Sequence, residues 1–287
     1  MIRLRAAAAI LVGVCAVSGA AFAAVPLDDD SNEAQIMGYY DAALAFTPLG
    51  APPGRLFSAG IDVTSVPGLS EEERQTNFAG SKLENTNFTS VIPRPRLRYR
   101  PHPDWLLETG FFPKVEVFGV KPQMLALGTA WRFAGREDDP SWWVRAHYFR
   151  GDIEGPITCS EDAVEDDPNQ VPSTVCAGGQ PSSDRFRPET YGVEVMASGA
   201  HLGRGGPAWY GSVGYSHERL QFDTHFVNYA GLLDDQVLVA RLDRGAVSGG
   251  VSWEPWRGLR VDGEIYYAPD ALATVRLALA WGWGKKP

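Results

Sequence analysis

Apolar and polar residues alternate along most of the chain, as they do in β-strands whose two faces meet different surroundings. Near the C-terminus every second residue from Ala273 to Trp283 is apolar or aromatic, and the residues between them are Thr, Arg, Ala and Gly. The segments 125–133, 142–149, 191–198 and 259–267 show the same period of two. Helical spacing fits none of these segments, so the pattern predicts an all-β protein.

The alternation predicts about twelve strands, each bounded by turn residues or by a longer polar segment. The predicted strands are 36–47, 55–65, 92–100, 104–112, 114–121, 123–134, 141–154, 188–200, 208–223, 237–254, 259–268 and 273–283. The weakest region is 104–121, where Pro113 can mark a bend within a single strand. In that case the count falls towards ten.

The connections between these strands are of two kinds. Short Gly, Pro or acidic connectors occupy 136–140, 203–207 and 254–258, whereas 66–91, 154–188 and 224–236 are longer and polar. Short turns at one edge and long loops at the other are typical of an antiparallel transmembrane β-barrel with periplasmic turns and outer loops. A soluble sandwich or solenoid also alternates. It fits less well, because the polar face is rich in the small residues that a narrow lumen requires, and many strands carry Trp or Tyr at an end.

Over residues 36–283 this pattern resembles the Gram-negative outer-membrane β-barrel class, and it identifies no specific family within that class. The resemblance implies a porin-like protein in the outer membrane, with lipid as a partner. Barrels of the class commonly end in an alternating strand with a terminal aromatic residue, and residues 273–283 resemble such a strand. The tail 284–287 extends past Trp283, which departs from the class pattern.

The first 23 residues have the layout of a secretory signal peptide. Two arginines precede a short apolar run, and Ala21-Phe22-Ala23 matches a cleavage site. An uncleaved anchor fits less well because the run is short, and lipoprotein processing at Cys15 fits less well because Val14 precedes it. We expect cleavage after Ala23, export, and a flexible segment over 24–35 before the barrel.

Net charge and cysteine content limit which binding partners and cofactors are expected. The chain carries 26 Lys and Arg against 35 Asp and Glu, a net charge of −9, which argues against a nucleic-acid partner. Beyond the signal segment the cysteines are Cys159 and Cys176, which we expect to form a disulfide in an oxidising compartment. Two thiolates without a nearby His make only half a zinc site, so neither a metal nor a cofactor is expected.

The most unusual run is 93–100, in which four arginines fall on one side of an extended strand. Guanidinium groups facing lipid would be costly, so this side is expected to face the lumen. The predicted basic lining comprises Arg94, Arg96, Arg98, Arg100, Arg132, Arg145 and Arg276. The predicted acidic partners are Glu108, Glu116, Glu194, Asp262 and Glu264. We call Arg94, Arg96, Arg98 and Arg100 the ladder. An accessible ladder would attract anionic solutes, whereas a ladder whose charges are all in ion pairs would plug the barrel.

Two functions therefore stay open. The preferred one is a narrow passive channel or uptake barrel for small anionic or amphipathic solutes. The alternative is a structural or adhesive barrel with a plugged lumen that acts through its outer loops. Ten strands barely leave a path for water and twelve leave a narrow one, so the strand count bears on the choice. An enzyme is not expected, because no His-x-Ser pair, Gly-x-Ser-x-Gly elbow or zinc-protease motif occurs.

Overall fold

The structure is a computed structural model that describes residues 24–76, 82–83, 90–116, 119–136, 140–159, 180–199, 206–227 and 232–285. Its elements in chain order are β1 (Val25–Pro26), α1 (Asn32–Leu44), β2 (Phe57–Ser65), β3 (Gln75–Thr76), β4 (Lys82–Leu83), β5 (Val91–His102), β6 (Trp105–Phe112), β7 (Lys121–Ala134), β8 (Ser141–Gly155), β9 (Asp184–Gly199), β10 (Ala208–Asp223), β11 (Phe226–Val227), β12 (Leu233–Asp234), β13 (Val237–Trp256), β14 (Leu259–Ala268) and β15 (Leu272–Trp283). In this part of the chain no helix is both long enough and apolar enough to span a membrane.

Ten long strands form a closed antiparallel barrel. Around the barrel the order is β2, β5, β6, β7, β8, β9, β10, β13, β14 and β15. Strand β15 pairs again with β2, and this last pairing, with Trp283 opposite Phe57, closes the sheet so that it has no free edge. The prediction of an antiparallel barrel is confirmed, with the alternative count of ten strands.

Two of the twelve predicted strands are wrong, and each of the other ten overlaps an observed barrel strand. The described residues of 114–120 form a connection between β6 and β7 that only joins the sheet again near Lys121. Residues 36–44 belong to helix α1, and residues 45–47 continue from it as an extended segment. Without these two segments the predicted list contains ten strands, which is the number in the barrel.

The outer face of the barrel is apolar and its inner face is polar. On β15, for example, Leu277 is 56% exposed on the outside, whereas the neighbouring Arg276 is fully buried inside. Exposed tryptophans cluster at the end of the barrel that holds Phe57 and Trp283, namely Trp105, Trp131, Trp142, Trp253, Trp256, Trp281 and Trp283. Exposed tyrosines on β9, β10 and β14 lie nearer the opposite end. An apolar belt between two aromatic girdles is the exterior of a membrane-spanning barrel.

The two ends differ in their connections. The end with Phe57 and Trp283 carries short hairpins such as the one from His102 to Trp105, and we call it the turn end. The opposite end carries the long connections that follow β2, β8 and β10, and we call it the loop end. In outer-membrane barrels the short turns are periplasmic and the long loops face outward.

Four neighbouring strands rise above the belt at the loop end. On β8, β9, β10 and β13 the outward residues change from apolar to charged, as in the step from Tyr191 to Glu189, Arg187 and Arg185 on β9. Six residues of strand correspond to about 20 Å of chain. We call this part of the wall the outer extension.

The N-terminal part of the described chain runs inside the barrel. Strand β1 pairs in parallel with residues 238–239 of β13 at the loop end, and the Ser31 side chain then caps α1 by accepting from the N–H of Ala34. An extended segment leads from α1 to β2 at the turn end. We call residues 32–53 the plug. Part of the segment 24–35, expected to be flexible, thus forms β1 and the first turn of α1.

Candidate functional site

Arginine side chains from the barrel wall cap the C-terminal end of α1. The last carbonyl groups of a helix have no partner within the helix and carry partial negative charge. Arg276 Nη2 donates to the carbonyl oxygen of Ala42 at 2.9 Å, and Arg94 Nη1 donates to that of Leu44 at 2.8 Å. Both guanidinium groups also reach Ala45 O. Two cations therefore hold the point at which the helix ends inside the lumen.

The remaining arginines of β5 follow the extended part of the plug. Arg96 Nη1 donates to the carbonyl oxygen of Thr47 at 2.9 Å, and Arg98 Nη2 donates to that of Pro48 at 2.6 Å. Arg100 Nη1 donates to the carbonyl oxygen of Pro53 at 2.8 Å. Since β5 and the plug both run from the loop end to the turn end, successive arginines meet successive residues of the plug. The ladder is occupied by the protein's own backbone.

Phe46 of the plug is seated among three guanidinium groups. Its ring centre lies 4.3 Å from Cζ of Arg96, and the corresponding distances to Arg145 and Arg94 are 5.0 and 5.1 Å. Cations over an aromatic face are attracted by the electron density of the ring, most strongly where water is excluded. Glycines in the wall make room for the ring, because a Cβ at Gly110 would stand 3.0 Å from it.

Buried carboxylates balance the ladder. Asp62 lies 3.1 Å from Arg94 Nη2 and 2.9 Å from Arg96 Nη2. Glu108 lies within 3.3 Å of nitrogens of Arg96, Arg98 and Arg145. Shared carboxylates between neighbouring guanidinium groups offset their mutual repulsion and the loss of hydration.

Glu264 of β14 joins the plug to another part of the wall. Its carboxylate accepts hydrogen bonds from the Thr47 hydroxyl at 2.6 Å, from the Leu49 N–H at 3.1 Å and from the Tyr210 hydroxyl at 3.2 Å. Nearby, Asp262 accepts from Arg260 Nε at 2.7 Å. Both oxygens of Glu264 are therefore used, and two of its three donors belong to the plug.

The structure brings most of the predicted lining together. The residues that lie buried in the lumen are Arg94, Arg96, Arg98, Arg100, Arg145, Arg276, Glu108, Glu194, Asp262 and Glu264. Arg132 lies at the turn end, where its Nε donates to Asp104 at 2.7 Å. Glu116 is not an inward partner, because its segment is a loop; its side chain is 61% exposed and lies 3.4 Å from Lys121 Nζ.

The predicted disulfide stays a prediction. Cys159 is buried beside β9, and its N–H donates to the Ser182 hydroxyl at 2.9 Å. Cys176 lies outside the described residues.

The plug and several charged residues of the interior were not expected from the sequence. Asp41, Asp62, Glu218, Arg244 and Arg260 all line or support the interior. Alternation in β2 and β10 could have placed Asp62 and Glu218 inside. For the plug, the available signal was the capping residue Ser31 followed by Glu33 in the first turn of α1.

The plug does not fill the whole interior. A small cavity of about 30 Å³, room for about two water molecules, lies between the plug and the wall made by β8, β9, β10, β13 and β14. Three carboxylates line it, from Asp41, Glu194 and Glu218. Within the described ranges, no group of three or more His, Cys, Asp and Glu side chains is placed to hold a metal ion.

The closed sheet, the apolar belt with two girdles, the polar interior and the unequal ends together decide the class. The chain is an outer-membrane β-barrel. No family model and no curated protein matches the sequence.

Solved structures resemble the barrel only distantly. The translocator domain of the autotransporter NalP from Neisseria meningitidis aligns with a TM-score of 0.42 at 8% identity, over 88% of this chain and 96% of that chain. The attachment invasion locus protein Ail of Yersinia pestis aligns at 0.28 and 10%, over 78% and 96%. The monoaromatic hydrocarbon channel TodX, as a deletion mutant, aligns at 0.30 and 11%, over 81% and 69%. Nothing about function follows from likenesses this remote.

Proposed function

We propose that this outer-membrane barrel works through its outer face and does not conduct solutes while its plug is in place. The observation that carries the proposal is the occupied arginine ladder. Arg94, Arg96, Arg98 and Arg100 each donate to carbonyl oxygens of the N-terminal chain, so the groups that would attract anionic solutes are already engaged. A ten-strand barrel is narrow, and its own side chains and plug fill most of it.

The outer extension supplies the surface. The register places Arg150 of β8, Glu189 of β9, Arg219 of β10 and Arg241 of β13 in one row across its outward face. Three guanidinium groups and one carboxylate in a row make this level of the surface basic, although the chain as a whole is acidic. Guanidinium groups bind phosphate, sulfate and carboxylate groups with paired hydrogen bonds. We infer that the extension binds anionic groups outside the cell.

The test compares surface binding by cells that display the protein and cells that do not. Beads coated with sulfonate groups should adhere to displaying cells, and beads coated with amines should not. Replacing Arg150, Arg219 and Arg241 together by Gln should abolish the difference. A matched variant changes two charged residues of the extension that pair with each other, Arg187 and Asp223, to Gln and Asn. It should keep bead binding. Equal bead binding by the triple variant and the parent would contradict the proposal.

A second candidate is a channel that opens when the plug leaves. It is favoured by the polar nature of the contacts between plug and ladder, since water can replace hydrogen bonds to carbonyl oxygens more readily than it can replace apolar packing. This candidate predicts that the intact protein in a planar bilayer is silent at rest and opens in repeated steps under applied voltage. The first candidate predicts silence at all voltages that leave the barrel folded.

A further inference from the structure

We propose that the outward arginines at the base of the outer extension bind the phosphate headgroups of lipids in the leaflet that surrounds the barrel. The inference rests on the proposed function, because it concerns the same basic surface, and it names lipid phosphates as the anionic groups. The arginines are Arg150, Arg219 and Arg241, whose side chains are exposed on the outer face. We call these three residues the basic row.

The arginines farther from the apolar belt are already paired with acidic residues. Arg187 Nη1 lies 2.8 Å from Asp223 Oδ2. Arg185 lies 2.6 Å from Asp152 and 3.0 Å from Glu154. The positive charge of this upper part of the extension is therefore offset by its own carboxylates.

The basic row has no such compensation. None of its three arginines forms an ion pair with a described residue. The two carboxylates nearest to the row along the sheet are engaged by other side chains. Glu189 Oε1 accepts from the Tyr148 hydroxyl at 2.8 Å, and Asp243 Oδ1 lies 2.8 Å from His217 Nδ1. Among the described residues, positive charge is thus left unpaired at this level of the outer face.

The unpaired charge lies next to the aromatic girdle. Arg150 is opposite Glu189, two residues beyond the exposed Tyr191, and Arg219 is four residues beyond the exposed Tyr215. These separations correspond to about 7 and 13 Å of strand, and to less along the membrane normal because the strands of a barrel are tilted. Girdle tyrosines sit at the level of the headgroups, and a long arginine side chain can reach several Å towards them.

The surface below the row favours a lipid over a soluble anion. Val193 of β9 and Val213 of β10 are 56% and 58% exposed on the outer face, where acyl chains pack. A lipid against these valines brings its phosphate up to the row, and guanidinium groups bind phosphate with paired hydrogen bonds. Basic residues just outside a membrane are attracted to anionic headgroups in the same way. A free anion makes only the upper half of this contact.

The experiment measures lipid binding to the refolded protein in an uncharged detergent by native mass spectrometry. The probes are dioleoyl phosphatidic acid and dioleoyl phosphatidylcholine, whose phosphate is offset by its own ammonium group. Phosphatidic acid should bind at least about tenfold more tightly, which corresponds to about 1.4 kcal/mol. Equal binding of the two lipids would overturn the proposal, and this comparison needs no variant.

Variants locate the site on the basic row. Replacing Arg150, Arg219 and Arg241 together by Gln should remove the preference for phosphatidic acid. The matched control, Arg187→Gln with Asp223→Asn, removes an ion pair higher on the same extension and should keep the preference. Folding of each variant is checked by its change of gel migration on heating. An unchanged preference in the folded triple variant would contradict this location.

Competition with inorganic phosphate separates this inference from the proposed function. A large excess of inorganic phosphate should leave phosphatidic acid bound, because the free anion lacks the contact of the acyl chains with the apolar belt. Displacement by inorganic phosphate would overturn the lipid inference and leave the proposed function standing, since the row would then bind soluble anions. Failure of bead adhesion to displaying cells would contradict the proposed function and not the binding of phosphatidic acid.

Discussion

The lumen contains two regions that look alike in composition and differ in how their charges are used. Around Arg96, buried guanidinium groups share carboxylates and donate to plug carbonyls, and Glu264 uses both of its oxygens. Around Glu218, an equally buried carboxylate has one oxygen without a hydrogen-bond partner among the described residues, beside a small cavity. A buried charge stabilises a fold only when its partners are complete. We therefore expect the first region to hold the plug in the lumen, and the second to contribute less to stability.

The largest expected effect comes from removing the guanidinium group at the centre of the first region. Arg96→Ala leaves Asp62 and Glu108 without one of their cations, and it also removes donors to the plug. We expect a loss of about 3–5 kcal/mol in the free energy of unfolding, measured by denaturant titration in detergent. Arg241→Ala, on the outward face of the extension, should cost less than about 0.5 kcal/mol. Similar losses in the two variants would mean that the ladder is not the main support.

The next effect concerns the aromatic anchor of the plug. Phe46→Ala should cost about 3 kcal/mol, because it leaves a cavity among three guanidinium groups. Phe46→Leu keeps much of the volume but loses the ring face, and the loss should fall to about 1 kcal/mol. The same denaturant titration measures both. If the two variants were equally destabilised, the attraction between cations and ring would be negligible here.

The smallest effect is also the sharpest comparison of the two regions. Glu264 and Glu218 are both 2% exposed, so the same substitution is made at two equally buried carboxyl groups. Glu264→Gln disturbs three hydrogen bonds to a charged group and should cost about 1.5–3 kcal/mol. Glu218→Gln should cost less than about 1 kcal/mol or stabilise the protein, because one of its oxygens has no partner among the described parts of the chain. A larger loss of unfolding free energy in Glu218→Gln than in Glu264→Gln would contradict the difference between the two regions of the lumen.

The barrel was predictable from the sequence because the alternation of apolar and polar residues in each strand follows the two environments that its faces meet. Lipid lies on one side and a polar lumen on the other, so each strand alternates, and the four arginines of 93–100 can only point inward. The direction of the ladder and the partners Glu108, Asp262 and Glu264 followed from the same alternation.

The plug was not predictable by the same reasoning. A helix enclosed by a barrel is buried on several sides, so α1 lacks the single apolar stripe that identifies a surface helix. For this reason the sequence predicts a strand over residues 36–47, of which 36–44 belong to α1. What the ladder binds could not be inferred either, since its acceptors are backbone carbonyls, which look the same in every sequence. Glu116 was misplaced because its segment continues the apolar pattern without joining the sheet.

The central claim, that the plug closes the lumen by occupying the arginine ladder, is tested most directly by single-channel recording in a planar bilayer. The protein from residue 24 onward is compared with a variant that lacks residues 24–53, both checked for heat-modifiable migration. The account predicts silence from the first and steady, anion-preferring steps from the second, because the deletion exposes Arg94, Arg96, Arg98 and Arg276. Steady conductance by the plugged protein, or a folded deletion variant that is silent or prefers cations, would contradict it.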